Sequence, residues 1–239
     1  MLPDCLVSIR FADEIIVVDS GNTDATNEIA LAAGAKIVKT TKPGYAQFRN
    51  AGLQAASGDW LLYVDADERV TPQLRQEIQS LLTDPAAGPV YQIPRRNIFL
   101  GRQMHYGGWG ADRVIRLFQR SALKGYHGDL HEQPGFIGQL ATTKGELVHF
   151  SHRDLSSMLT KTLQFTDYEA QARLAASHPP VVWWRFIRVM LTEFHQRFIK
   201  LSAWKDGPQG VIDGLFQVFN SFVIYARLWE LQHAQKSNL

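Results

Sequence analysis

Glu14-Ile15-Ile16-Val17-Val18-Asp19-Ser20-Gly21-Asn22-Thr23-Asp24 and Trp60-Leu61-Leu62-Tyr63-Val64-Asp65-Ala66-Asp67-Glu68 decide the fold of this chain. Each is a short apolar run that ends in a carboxylate. An apolar run of that length closed by turn residues predicts a buried strand. Ser20 to Asp24 carries turn residues and helix-capping side chains. Thr26 to Ala33 then reads as a helix with Gly34 as its stop, and Lys36 to Lys39 as a second strand. Pro43-Gly44 is a break, and Tyr45 to Ala56 reads as another helix. Thr71-Pro72 opens a further helix, with a capping hydroxyl and proline at the first helical position. Strand, helix, strand, helix, strand with short links predicts an α/β domain on a parallel sheet covered by helices. Ligands bind such sheets beyond the carboxyl ends of the strands. Asp19 and the Asp65 to Asp67 cluster both stand at such ends, so both are expected on one rim.

The pattern changes after Pro94. Arg113 to Phe118 reads as a strand and Gly125 to Glu132 as a loop rich in Gly and His. From Leu155 the chain reads as helices, Leu155 to Ala176, Val181 to Ala203 and Val211 to Gln232. The breaks are His178-Pro179-Pro180 and Lys205-Asp206-Gly207-Pro208. The expected division is residues 1–152 and 153–239. The chain has 239 residues, 45% hydrophobic and 20% charged, enough for a sizeable core. A formal net charge of +2 calls for no polyelectrolyte, so no nucleic-acid partner is expected. Cys5 is the one cysteine, which rules out a disulfide framework or a thiolate metal site within the chain and suits a reducing compartment. The start shows no basic stretch followed by an apolar run, so no signal peptide is expected. No uninterrupted apolar run reaches about 18 residues, so a plain spanning helix is not expected.

Two carboxylates around a small residue at a strand end, as in Asp65-Ala66-Asp67, can hold a hard divalent cation. Such a cation neutralises a diphosphate leaving group. The plainer alternative is a solvated acidic turn that caps the next helix. Asp19 can accept hydrogen bonds from a base or ribose, or cap the helix that follows it.

Phe11 to Asp24, Gly58-Asp59-Trp60 and Asp65-Ala66-Asp67-Glu68-Arg69-Val70 resemble family 2 glycosyltransferases of the GT-A fold. Within that family the chain resembles the lipopolysaccharide-core β-glucosyltransferase branch, well over about Leu2 to His149 and in the look of its helical tail. The resemblance implies a GT-A domain with a C-terminal helical appendage, a nucleoside-diphosphate sugar donor (a UDP-sugar), and a divalent metal, Mg2+ or Mn2+. It places Asp19 at the nucleoside, Arg49 at the nucleotide or its phosphates, Asp65 on the ribose and metal side, and Asp67 at the metal. The family inverts the anomeric carbon in one displacement, which needs a base for the acceptor hydroxyl. Leu130-His131-Glu132 resembles the motif that supplies it, making Glu132 the expected base, with His131 or Asp129 as alternatives. His149 either reaches the metal or is merely packed. Arg113 and Arg116 either face phosphate on the acceptor or form the wet face of a strand. Relatives begin with a further β-strand and a Thr-x-Asn-Glu-Glu-like segment, whereas Leu2 to Ile9 matches the end of the helix after it. The sheet is therefore expected to lack that strand and part of the nucleotide pocket. Two readings follow, an inverting transfer to a lipid-linked saccharide and a non-catalytic truncated binding module. A phosphoacceptor receiver using Asp19 and Asp65 is a third, and the helical tail argues against it.

Trp183, Trp184, Phe186, Phe194, Phe198 and Trp204 alternate with Arg185, Arg188, Arg197 and Lys200. That mixture suits a helix lying at a bilayer interface, or a core stripe. Val211 to Trp229 is more apolar but is interrupted by Asp213, Gln217, Asn220 and Arg227, with Asp213 and Arg227 expected near headgroups. The expected location is cytoplasmic, peripheral on the cytoplasmic face of the inner membrane, with the lipid-linked acceptor as a partner.

Overall fold

The computed structural model describes residues 1–41, 44–128 and 132–237. The chain divides into two units, residues 1–96 with 112–150, and residues 97–111 with 151–239.

The first unit runs α1 (Leu2–Ser8), β1 (Ile16–Asp19), α2 (Thr26–Ala32), β2 (Lys36–Lys39), α3 (Tyr45–Ala55), β3 (Trp60–Leu62), β4 (Glu68–Val70) and α4 (Pro72–Thr83). Then come β5 (Val90–Phe99), β6 (Arg102–Gln103), β7 (Arg113–Gln119), β8 (Leu123–His127), β9 (Gln133–Phe136), β10 (Leu140–Thr142) and β11 (Leu147–His152). The boundary between the units falls within β5 and β11, and β6 belongs to the second unit. The opening elements lie where the apolar runs and caps put them, and Thr71 Oγ1 accepts the Leu74 N–H at 3.2 Å to start α4.

The expected parallel sheet is realised only in part. β1 and β2 pair in parallel around α2. β3 instead pairs antiparallel with β7, within the strand order β3-β7-β5-β11-β4. Among the described residues no strand hydrogen-bonds to β1 on the side away from β2. Parallel pairing needs a crossover of a dozen or more residues. β3 and β4 are only five residues apart and do not pair; each meets a strand from later in the chain, β7 and β11, and both ladders are antiparallel. The segment expected as a loop from Gly125 is partly strand: Leu123 and Tyr126 are buried, and β8 pairs with β9.

Alternation along β7 explains how the sheet is covered. Leu117 joins Leu74 and Ile78 of α4 in one core, while Phe118 joins Ala46 of α3 with Leu61 and Tyr126 in another. One helix on each face therefore fixes the end of β3.

The second unit carries α5 (Leu155–Ala175), α6 (Trp183–Phe194), a π turn (His195–Lys200), a 3-10 turn (Ala203–Asp206) and α7 (Gly207–Ser237). The helix expected to run to Ala203 is thus broken, and α7 starts at Gly207 with Pro208 in its first turn, where no donor is lost. Ala170, Val181, Ile224, Tyr225 and Leu228 form its main core. Gly214 lets α7 approach the π turn, because a Cβ there would lie 2.8 Å from the Phe198 ring.

Candidate active site

β1 delivers Asp19 to the rim, where the chain turns. Its buried carboxylate accepts the N–H groups of Gly21 at 2.9 Å and Asn22 at 2.8 Å, and the Asn27 amide at 2.7 Å. These donors, Asn22 foremost, hold its pKa down at about 2. Asp19 therefore organises the loop at Gly21 and Asn22 and ties it to α2.

β3 leads to Asp65, whose carboxylate lies between two guanidiniums. Arg49, from α3, approaches at 3.1 Å. Arg116, from β7, binds the other side, because the ladder sets Leu62 against Leu117 and continues with the Tyr63 N–H on the Arg116 carbonyl. Arg49 also donates its Nε–H to Glu132 at 3.0 Å. One arginine thus joins the strand-end carboxylate to the expected base, which lies 83 residues beyond Arg49 in the chain. Its guanidinium lies 5.8 Å from the Tyr63 ring centroid and 5.5 Å from that of Tyr126. Burial alone would lower the Arg49 pKa, but Asp65, Tyr126 and Glu132 outweigh it and raise it. Burial pushes the Tyr63 phenol up to about 12 and Tyr126 higher still, so both rings stay neutral.

Behind this pair Glu68 is wholly buried. Burial raises its pKa against the pull of Arg116. It accepts the Asp65 N–H at 3.0 Å and lies 3.3 Å from Arg95, which in turn holds Asp112 at 2.8 Å. The result is a row of alternating charges: Glu132, Arg49, Asp65, Arg116, Glu68, Arg95, Asp112. Arg116 Nε and the Tyr126 hydroxyl are buried in or beside this row with no hydrogen-bond partner among the described residues. α1 supports the same loop, with the Cys5 thiol against the Asp65 carbonyl at 3.5 Å. Burial lifts that thiol to about 11, so it is no nucleophile.

Asp67 has a different neighbour, His149 Nε2 at 3.8 Å, brought there by the pairing of β11 with β4. Among the described residues no three His, Cys, Asp or Glu side chains converge on one point. One oxygen and one nitrogen donor still suit a cation that takes its remaining ligands from a diphosphate and water. His131 and Asp129, the alternative bases, lie outside the described residues. Arg113 is exposed, as on a wet strand face, whereas Arg116 is buried in the row. A cavity of about 520 Å³ lined by Asp59, Trp60, Gln119, Arg120 and Ser121 sits at the opposite end of β3 and includes none of these groups.

Residues 1–143 match the family model described as glycosyl transferase family 2. The chain belongs to glycosyltransferase family 2. It is 26% identical over 252 residues to the lipopolysaccharide core biosynthesis glycosyltransferase LpsC of Rhizobium meliloti (strain 1021), covering 99% of this chain and 89% of that one. An uncharacterised glycosyltransferase of Rickettsia typhi (strain ATCC VR-144 / Wilmington) is also 26% identical, over 93% of this chain and 80% of its own length. A structure of glucosyl-3-phosphoglycerate synthase from Mycobacterium tuberculosis, in complex with Mn2+ and UDP-glucose, overlaps 40% of this chain and 39% of its own at 27% identity, with a TM-score of 0.35. This family 2 glycosyltransferase is therefore an enzyme of glycosyl transfer with an α/β fold of the GT-A class. Arg116, Glu68, Arg95 and Asp112 are the residues of its rim whose pairing sequence reasoning missed. An arginine inside the apolar strand Val114-Ile115-Arg116-Leu117-Phe118 was the one available signal.

Proposed function

We propose that this glycosyltransferase moves a sugar, with inversion, from a UDP-sugar to a lipid-linked saccharide of the lipopolysaccharide type, at the cytoplasmic face of the inner membrane. The observation that carries the reading is Arg49 held between Asp65 and Glu132. An arginine with two carboxylate partners can exchange one of them for a phosphate oxygen, in a fork geometry suited to either. A donor diphosphate taken up by Arg49 would loosen Glu132 for the acceptor. The acceptor oxygen then bonds to the anomeric carbon, its proton passes to the Glu132 carboxylate, and the bond to the diphosphate oxygen breaks with its electron pair. Arg49 and Arg116 bear on the developing negative charge, and Asp19 shapes the nucleoside side through the loop it holds. Asp67 and His149 would hold a divalent cation, Mg2+ or Mn2+, with Asp65 on the ribose side. When bound, that cation neutralises the leaving diphosphate.

The test is turnover of a panel of nucleotide sugars with a lipid acceptor extract, titrated with Mn2+ or Mg2+, for the wild type and Asp67→Asn. The expected result is saturable metal dependence in the wild type and a loss of about 10²-fold or more in the variant, as for a few kcal/mol of charge stabilisation. Equal turnover in chelator for both proteins would remove the cation from the proposal.

A further inference from the structure

α6 buries one face and leaves a second apolar face uncovered. On the packed side Phe186 and Val189 meet the core around Ile224 and Leu228, and Phe186 lies 5.7 Å from Phe222 of α7 between ring centroids. On the other side Trp183, Ile187, Leu191 and Phe194 follow one another at three- and four-residue steps and so form one stripe. All four are exposed, Trp183 by 77% and Leu191 by 63%. A helix that serves only a protein core needs one apolar face.

The charges beside this stripe are one-sided. Between residues 181 and 206 the acids are Glu193 and Asp206. Glu193 pairs with Arg197 at 2.7 Å, and Asp206 is buried, accepting the His105 and Tyr106 N–H groups at 2.8 and 2.7 Å. Arg188, Lys200 and Lys205 remain exposed to solvent. Arg188 lies over the Trp184 ring at 5.6 Å, and Lys205 over Trp204 at 5.5 Å. Basic groups beside exposed indoles match the phosphate and acyl layers of an anionic bilayer surface.

α7 is the rival membrane element, since Ala203–Ala234 is long and apolar enough to cross a bilayer by length and composition alone. Its interior argues otherwise. Asp213, expected near headgroups, is wholly buried and accepts the Trp109 indole N–H at 2.8 Å, while Ile224, Tyr225 and Leu228 belong to the unit's core.

We infer that α6 is an interfacial helix, with Trp183, Ile187, Leu191 and Phe194 set among the acyl chains of an anionic membrane and the neighbouring cations at its phosphates. This deepens the membrane-borne acceptor proposed above and rests on that reading for its purpose. The test uses the full chain with vesicles of phosphatidylcholine containing about one third phosphatidylglycerol. The wild type is expected to float with these vesicles, with tryptophan emission moving to shorter wavelength. Ile187→Glu/Leu191→Glu lowers vesicle binding by about tenfold or more, and Arg188→Ala by about fivefold, an effect that salt removes. Both positions are exposed, so melting temperature and circular dichroism are expected to hold. Equal flotation of the wild type and the double variant overturns the inference. So does a wild-type dimer in solution that the double variant converts to monomer while neither binds vesicles. Equilibrium binding of the UDP-sugar without vesicles reads the first unit separately. Its absence in every protein, with α6-dependent flotation intact, refutes the reaction and leaves the membrane surface standing.

Discussion

In the sheet unit, the charged side chains from Glu132 to Asp112 alternate in sign, and each arginine in the row meets two carboxylates. In the helical unit, Asp206 and Asp213 are more deeply buried than Asp65 or Glu132, and neutral N–H groups hold them. The difference separates two uses of a buried charge. An acid bound by neutral backbone and side-chain donors is fixed, because no ligand competes for those donors on equal terms. A carboxylate bound to an arginine that has a second anion is replaceable, because an incoming phosphate offers the same geometry with more charge. By that criterion Asp19 belongs with the helical acids although it stands on the rim, and Asp65 and Glu132 are the groups built to change partners.

Glu132 is the replaceable carboxylate whose substitution is expected to cost the most activity. If its contact with Arg49 is a resting state of the base, Glu132→Gln keeps the hydrogen bond to Arg49 and removes the proton acceptor. Turnover is expected to fall about 10²- to 10⁴-fold, with donor affinity no weaker than the wild type's, because the base acts on the acceptor and a neutral amide competes less than a carboxylate for Arg49. Single-turnover rates with equilibrium donor binding measure both. Near-normal turnover at equal donor affinity removes Glu132 from the chemistry.

Arg49 is the guanidinium that both replaceable carboxylates share. Arg49→Met leaves Glu132 without its partner and Asp65 with Arg116 alone. Losing one member of a fully buried pair costs about 3–5 kcal/mol. Asp65 is partly open to solvent and keeps its second arginine, so the expected loss is smaller, on the order of 1–3 kcal/mol. Arg49→Lys restores the charge but not the fork that reaches Asp65 and Glu132 together. It is expected to recover most of the stability in denaturant titration while donor affinity stays weakened. A lysine variant equal to the wild type in both would make Arg49 a mere counter-ion.

The early elements were legible because local signals fixed them: apolar runs closed by turn residues for β1 and β3, caps and breaks for α2, α3 and α4. β4, β6 and β10 were not, since two or three residues carry no periodicity and their strand state comes from their partners. The antiparallel seat of β3 beside β7 was invisible for the same reason. Asp19, Asp65 and Asp67 were legible as strand-end carboxylates, and Arg49 and Glu132 through the family resemblance. The links of Arg95 to Glu68 and Asp112 span 27 and 17 residues and leave no local trace. Arg113 and Arg116 looked equivalent in the sequence. The strand puts only Arg116 into the row and leaves Arg113 in water.

Whether Asp213 is a fixed acid shows in how stability depends on pH. Burial raises its pKa above the ordinary 3.8, against the hydrogen bonds from Trp109 and Gln217. The folded chain then binds the Asp213 proton more tightly than the unfolded chain does. Stability attributable to this group is highest below its unfolded pKa, declines as pH rises past it, and stops declining once the folded pKa is passed. Asp19 runs the opposite way: its pKa is depressed from 3.8 to about 2, so its contribution is present above about 4 and is lost as pH falls through about 2. Asp213→Asn keeps an oxygen for the Trp109 N–H and removes the titration. Melting temperatures of wild type and variant, compared from about pH 4 to about pH 7, are expected to diverge in favour of the asparagine as pH rises. A gap that stays constant across that range would mean that Asp213 pays no ionisation cost in the fold. Its hydrogen bonds would then have to be accompanied by a cation or by water, which would place it with the replaceable carboxylates of the rim.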